Sequence, residues 1–252
     1  MMDCSTVLDT LADDPDPRVD DGFVRCVPGD DTRGSVLLVG VVHDHPASVF
    51  RVAHVFESVA ADVVALELPP LAMPLFRAYA RDGRHPPRFG GEMSATIQAA
   101  EGVRTVGIDA PSATYFDALV DRFVRDPPDA KTAKSAARDL LSALGQAITC
   151  RLVAPIAKHT PFTPRVYTDL EYDVSLLDTA SEQADHETAH LARRRALFDA
   201  IEAPTETALI DELRELAMID RLRDLRAGGS DVIAVIGMEH LDPVASGLSV
   251  SG

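Results

Sequence analysis

Three short apolar runs constrain the fold of this chain more than any other feature: "SVLLVGVV" (Ser35–Val42), "DVVALEL" (Asp62–Leu68) and "DVIAVIG" (Asp231–Gly237). Each is too short for an ordinary core helix, and its apolar residues are nearly continuous rather than alternating. That pattern marks strands buried on both faces, as in a parallel sheet covered by helices. "RTVGIDA" (Arg104–Ala110) is a fourth candidate. "FVRCV" (Phe23–Val27), joined to the first run by the turn loop "PGDDTRG", is a fifth.

The intervening segments have helical spacing. Pro46 suits position N1 of a helix reaching about Ala60, with Val49, Val52, Ala53 and Phe56 on one face. "LAMPLFRAYARDG" is expected to end at Gly83, "EMSATIQAAEG" to open at Glu92 and close at Gly102, and "PSATYFDALVDRFVRD" to begin near Pro111. Residues 35–125 thus alternate strand and helix, which predicts an α/β fold with a mostly parallel central sheet flanked by helices. Residues 129–227 contain no convincing strand. They are expected to form amphipathic helices broken around Pro155–Pro164 and at Pro204, a helical insertion (about 127–227) before the last core strand. These helices are also the candidate face for a homodimer. Residues 1–22, acidic and carrying Pro15 and Pro17, are expected to be a loose arm, with 23–252 forming one domain.

Ligands of parallel α/β sheets gather beyond the carboxyl ends of the strands. The first run leads to Gly40-Val41-Val42-His43-Asp44-His45, the second carries Glu67, the fourth ends at Asp109, and the last leads to Gly237-Met238-Glu239-His240. Two strand ends share G-x-x-H, where glycine permits a close turn. His43 and His240 with nearby carboxylates suit a Zn²⁺ or Mn²⁺ site, or an acid/base set without metal. Structural roles compete with this: a buried Arg partner for Glu67, an N-cap for Asp109, a favourable helix N-terminus for Glu92.

In order along the chain, "VLLVGVVHDHPASVFRV", "ADVVALEL", "GGEMSATIQAA", "TVGIDA", "AMIDRLRDL" and "VIAVIGMEHLDPV" resemble blocks of the TraB/PrgY family, which is related to the TIKI metalloproteases and more distantly to erythromycin-esterase-like and ChaN-like proteins. The resemblance covers roughly residues 35–115 and 216–245. It implies His43, Glu67, Glu92, Arg221 and His240 as site residues with Asp109 nearby, His43 and His240 being the metal positions. It also implies a metal-assisted hydrolase, a peptidase acting on or limiting a peptide signal. The alternative is a non-catalytic protein that binds a peptide or small ligand in the same crevice. Two positions depart from the family: His45 stands where Ser is frequent, and Ala110 follows Asp109 where Arg is common.

"ADHETAHL" (Ala184–Leu191) contains a literal H-E-x-x-H, the zincin signature. His186 and His190 would share a helix face, Glu187 would activate water, and Glu212 or Glu215 would be the third ligand. The flanks "SEQAD" and "ARRRA" are polar, so a solvated helix face is the expectation.

Charge bears on partners. The net charge is −16, from 28 Asp and 12 Glu against 21 Arg and 3 Lys. This balance fits a halophilic source and argues against nucleic acid and anionic membranes as partners. The chain shows no uninterrupted apolar run of 18 residues and no signal-peptide pattern at its start, so no membrane span and a cytoplasmic location are expected. Cys4, Cys26 and Cys150 are scattered and odd in number, so neither a disulfide framework nor a Cys-based zinc site is expected.

Overall fold

A computed structural model of the chain describes residues 2–157, 172–200 and 205–250. The apolar runs form strands β2 (Val36–Val41), β3 (Val63–Leu66) and β5 (Val232–Gly237). With β1 (Val24–Val27) and β4 (Arg104–Gly107) they make one sheet of order β1-β2-β5-β3-β4. The β2–β5, β5–β3 and β3–β4 pairs are parallel, and β1 joins the β2 edge antiparallel. The α/β fold read from the apolar runs is the one observed.

The continuous apolar character of the runs follows from burial on both faces. Leu37, Val39, Val41, Val64, Leu66, Ile233 and Val235 join one core cluster. Val36, Leu38, Ala65, Val232, Ala234 and Ile236 join the other. The first core is covered by helices α2 (Pro46–Ser58), α3 (Met73–Tyr79) and α4 (Gly91–Ala99), the second by α8 (Thr205–Arg226) and α9 (Met238–Ser249). Helix α5 (Ala113–Arg125) packs on α8, α6 (Ala130–Ala157) on α3 and α8, and α7 (Ala180–Ala200) on α2.

Several expectations are corrected. Residues 2–22 are not a loose arm. Helix α1 (Cys4–Ala12) is capped by Asp3, Leu11 and Val19 are buried in the first core, and the Met2 amide donates to Asp231. Cys4 and Cys26 form a disulfide, tying α1 to the edge strand β1, while Cys150 is free and buried. Their separation of 22 positions concealed a pairing that the third cysteine does not disturb. Helix α3 stops at Tyr79, short of Gly83, which has φ +77° in the following loop. Ser112, not Asp109, caps α5 by accepting from the Tyr115 amide. Helix α6 continues through Pro155 to Ala157; Pro164 and Pro204 lie outside the described residues. By length and composition α6 is long and apolar enough to cross a membrane, because its isolated charges interrupt the apolar run without removing its overall character.

Candidate functional site

Strand order fixes the centre of the site. β5 lies between β2 and β3, so both G-x-x-H turns leave adjacent strands: Gly40 pairs with Ile236 and Val41 with Gly237. Glu67, just past β3, therefore lies beside the end of β5, and its Oε2 accepts from the Gly237 amide at 2.5 Å. The carboxylate sits on a backbone N–H exposed by the ending strand, which helps it tolerate 7% exposure.

Beyond β2 the chain turns through Asp44, at φ +59°. The start of α4 crosses this turn closely. A Cβ on Gly91, itself at φ +43°, would stand 2.3 Å from Asp44 Oδ1, so glycine is required on both conformational and steric grounds. The approach delivers Glu92 from the first turn of α4. Its Oε1 lies 2.8 Å from His43 Nδ1, and its Oε2 accepts from the Asp44 amide at 2.9 Å. Glu92 is buried, whereas the His43 side chain is 38% exposed at the mouth of a cavity. Burial works against a charge on His43, but the hydrogen bond and charge of Glu92, helped by Glu67 and Glu239, outweigh it and raise its pKa to about 10.

A second cluster is organised by Arg214 on α8. Its Nη2 donates to Glu67 Oε1 at 2.6 Å and Asp109 Oδ2 at 2.8 Å, and its Nε donates to Asp109 Oδ1 at 2.9 Å. Burial opposes the guanidinium charge, but Asp109 and Glu67 raise its pKa further, so it remains a cation. Behind Glu67 stands His240, 2% exposed. Its Nδ1 lies 2.9 Å from Glu215 Oε1, and its Nε2 lies 3.6 Å from Glu67 Oε1 without a hydrogen-bond partner. Burial again disfavours the cation, and Glu215 with Glu67 raises the pKa despite it.

His43, Asp44, Glu67, Glu92, Asp109 and Arg214 line one side of a cavity of about 500 Å³. Phe76, Phe89, Met93, Leu140, Ala143 and Ile210 supply apolar wall. An apolar cleft with a few convergent polar groups is the usual form of a small-molecule or short-peptide site.

Four predicted residues, His43, Glu67, Glu92 and Asp109, thus share this cavity, while His240 is placed one layer behind it. Arg221 does not reach it. That side chain lines a separate groove with Leu71 and Phe116, and its nearest ionic partner is Asp224 at 3.9 Å. The arginine of the site is Arg214, two helical turns earlier on α8. Its only sequence signal was the need of an apolar-strand carboxylate for a cationic partner. His45 is not a cavity residue either: its Nδ1 accepts from the Ala47 amide at the start of α2, and its Nε2 lies 3.0 Å from His186 Nδ1.

The H-E-x-x-H helix is corrected as well. Glu187 is 1% exposed and ion-pairs with Arg51, itself fully buried, while accepting from Ser48 at 2.5 Å. The segment is therefore a docking face, held by an ion pair whose partner lies 136 positions away. Glu215, nominated as a zinc ligand, holds His240 instead.

The fit to Zn²⁺ or Mn²⁺ is poor. Holding both imidazoles through Nδ1 by carboxylates is what metal-binding histidines often show. Yet no three His, Cys, Asp or Glu residues converge as a metal-holding group among the described residues. Glu67, the carboxylate between the two histidines, already spends both oxygens on Arg214 and Gly237. In comparisons with known proteins, the chain matches no family model, no curated protein and no solved structure.

Proposed function

We propose that this protein is a hydrolase of amide or ester bonds, working on a short peptide or a similarly sized small molecule by acid–base chemistry. The observation that carries the reading is the His43–Glu92 pair at the mouth of an apolar-walled cavity. Glu92 fixes the imidazole through Nδ1, as an orienting carboxylate does for a catalytic histidine. In its neutral form His43 would take a proton from water, and the Arg214 guanidinium lining the same cavity would attract developing negative charge. Resemblance to the TraB/PrgY blocks adds the peptide, and the limiting of a peptide signal, as the substrate class.

The pH dependence tests this. A base must be neutral, and a histidine with pKa near 10 is about 0.1% neutral at pH 7 and about 10% at pH 9. Turnover of a peptide and ester panel should therefore rise about 100-fold between those values, with a slope near one on a logarithmic plot. His43→Gln should abolish the rise, and EDTA should leave the rate unchanged. A rate that is flat in pH, or equal in His43→Gln, would refute the assignment.

A second reading has an observation in its favour. Glu67, Glu92 and Asp109 are each engaged by a cation or a backbone amide. Such a set can hold a ligand without turning it over. Saturable binding of a peptide that is recovered intact at pH 9 would select this reading.

A further inference from the structure

Helix α6 runs for 28 residues, about 42 Å at 1.5 Å per residue. The face it turns inward is made of small side chains: Ala136, Ala147, Cys150, Ala154 and Ala157 are buried. Leu140, Leu144 and Val153 are half-buried at its edges, but four large apolar side chains point the other way. Leu141 is 69% exposed, Ile148 44%, Leu152 69% and Ile156 55%. Their spacing of seven, four and four places them on one stripe, since side chains four or seven apart share a helix face. Phe116, Val120 and Val124 form a comparable exposed stripe on α5. Phe116 and Leu144 of α6 line a common groove with Leu71. A row of exposed large apolar side chains along one helix face is the kind of surface that marks an interaction site.

Charge indicates the partner. The chain has 40 acidic and 24 basic residues, but α6 reverses the balance, with Lys131, Lys134, Arg138 and Arg151 against Asp139. Two of the three lysines in the protein are on this helix, and all four bases are exposed. We propose that the outer face of α6 docks the protein on an anionic lipid surface, the helix lying in the headgroup plane. Leu141, Ile148, Leu152 and Ile156 enter the acyl boundary, and the bases meet the headgroups. Nucleic acid would use the bases and leave the apolar stripe in water. A second copy would use the stripe but bring a further charge of −16. Exclusion of membranes by net charge fails locally, because charges more than a Debye length of about 8 Å away are largely screened. Leu140 and Ala143 of the same helix line the cavity, so docking sets the cavity close to the lipid surface.

Flotation of the protein with vesicles tests this, using phosphatidylcholine alone or with about one third phosphatidylglycerol at ~0.1 M salt. Anionic vesicles should bind the protein at least about tenfold better than neutral ones. Leu141→Glu with Leu152→Glu, at exposed positions where the fold does not depend on leucine, should lower binding at least about tenfold. Lys134→Glu with Arg138→Glu should do the same. The chain has no tryptophan, so Leu152→Trp gives a single tryptophan that can be excited selectively beyond the four tyrosines and whose emission should shift to the blue on anionic vesicles. Absence of flotation with either vesicle, with no spectral shift, would overturn the proposal. So would unchanged binding of the charge-reversed variant. A concentration-dependent dimer abolished by Leu141→Glu, without vesicle binding, would overturn it in favour of a second copy.

Discussion

Arg214→Met gives the most direct test of how the site is held together. The guanidinium is 25% exposed as a side chain, while its partners Glu67 and Asp109 are 4% and 11% exposed. Removing it leaves two like charges in poor contact with water and without their shared cation. Breaking a buried ion pair in this way costs about 3–5 kcal/mol. Part of that is relieved by solvent reaching Asp109, so a loss of about 3 kcal/mol is expected. Urea unfolding followed by circular dichroism measures it. With a slope of ~3 kcal/mol/M the midpoint should fall by about 1 M. Arg214→Lys keeps the charge but cannot fork between two carboxylates, and should recover only about half of the loss. Combining Arg214→Met with Glu67→Gln and Asp109→Asn should restore most of it, because the penalty lies in the stranded charges. Arg221→Met, on the same helix but 36% exposed as a side chain, should stay within about 0.5 kcal/mol of wild type. A loss below about 1 kcal/mol for Arg214→Met, or full stability of Arg214→Lys, would refute the bridging role.

Further outcomes follow from other groups of the fold. Glu187→Gln strands the fully buried Arg51 and should lower stability by about 3 kcal/mol in thermal or urea unfolding, whereas a solvated Glu187 would give a change near zero. Cys4→Ser opens a disulfide spanning 22 positions and should cost about 3 kcal/mol relative to the oxidised protein, with no difference once both are reduced. His45 has its pKa lowered from 6.5 to about 4, mainly by burial, with His186 and Arg51 adding to it against Glu187. Its stability contribution is full above pH 6.5 and drains by about 3 kcal/mol as pH falls to 4, because the unfolded chain binds a proton that the folded one refuses; His45→Asn should flatten that slope. His43 has the opposite sign, its contribution being lost as pH rises from 6.5 towards 10, and its partial exposure softens the effect.

The sheet was legible because burial on both faces leaves a mark that polar context does not blur. Val36–Val41, Val63–Leu66 and Val232–Gly237 had few alternatives to parallel strands, and once strands end together their termini bring His43, Glu67 and Asp109 together. Glu92 was nominated only through the resemblance of the G-G-E-M block; the close approach of Gly91 to the Asp44 turn that delivers it is visible only in the fold. Arg214 and Arg221 were harder to separate. Both lie on α8, whose register against the sheet depends on which residues pack, and only Arg214 faces the strand ends. The docked N-terminal helix was hidden for a related reason. Its acidic composition predicts solvation, but Leu11, Val19, Asp231 and the Cys4–Cys26 bond fix it through contacts distant in sequence.

Glu187 shows why local polarity misleads in an insertion of this kind. Its neighbours are polar because most of α7 is solvated; among the described residues of the helix, Gln183 and Glu187 are the buried polar side chains. A buried carboxylate needs a dedicated cation, and Arg51 meets that need from the middle of α2, between the apolar positions Val49 and Val52. The same logic places Arg214 against Glu67 and Asp109. In both cases a charge embedded in an apolar segment, Arg51 in α2 or Glu67 after β3, is the residue that demands a partner, and the partner sits in a polar helix of the insertion. A search for ion pairs in this chain therefore starts from charges in apolar segments. Glu92 fits this rule, since it is buried in a helix of small and apolar residues and its cation, His43, is the group on which the proposed chemistry rests.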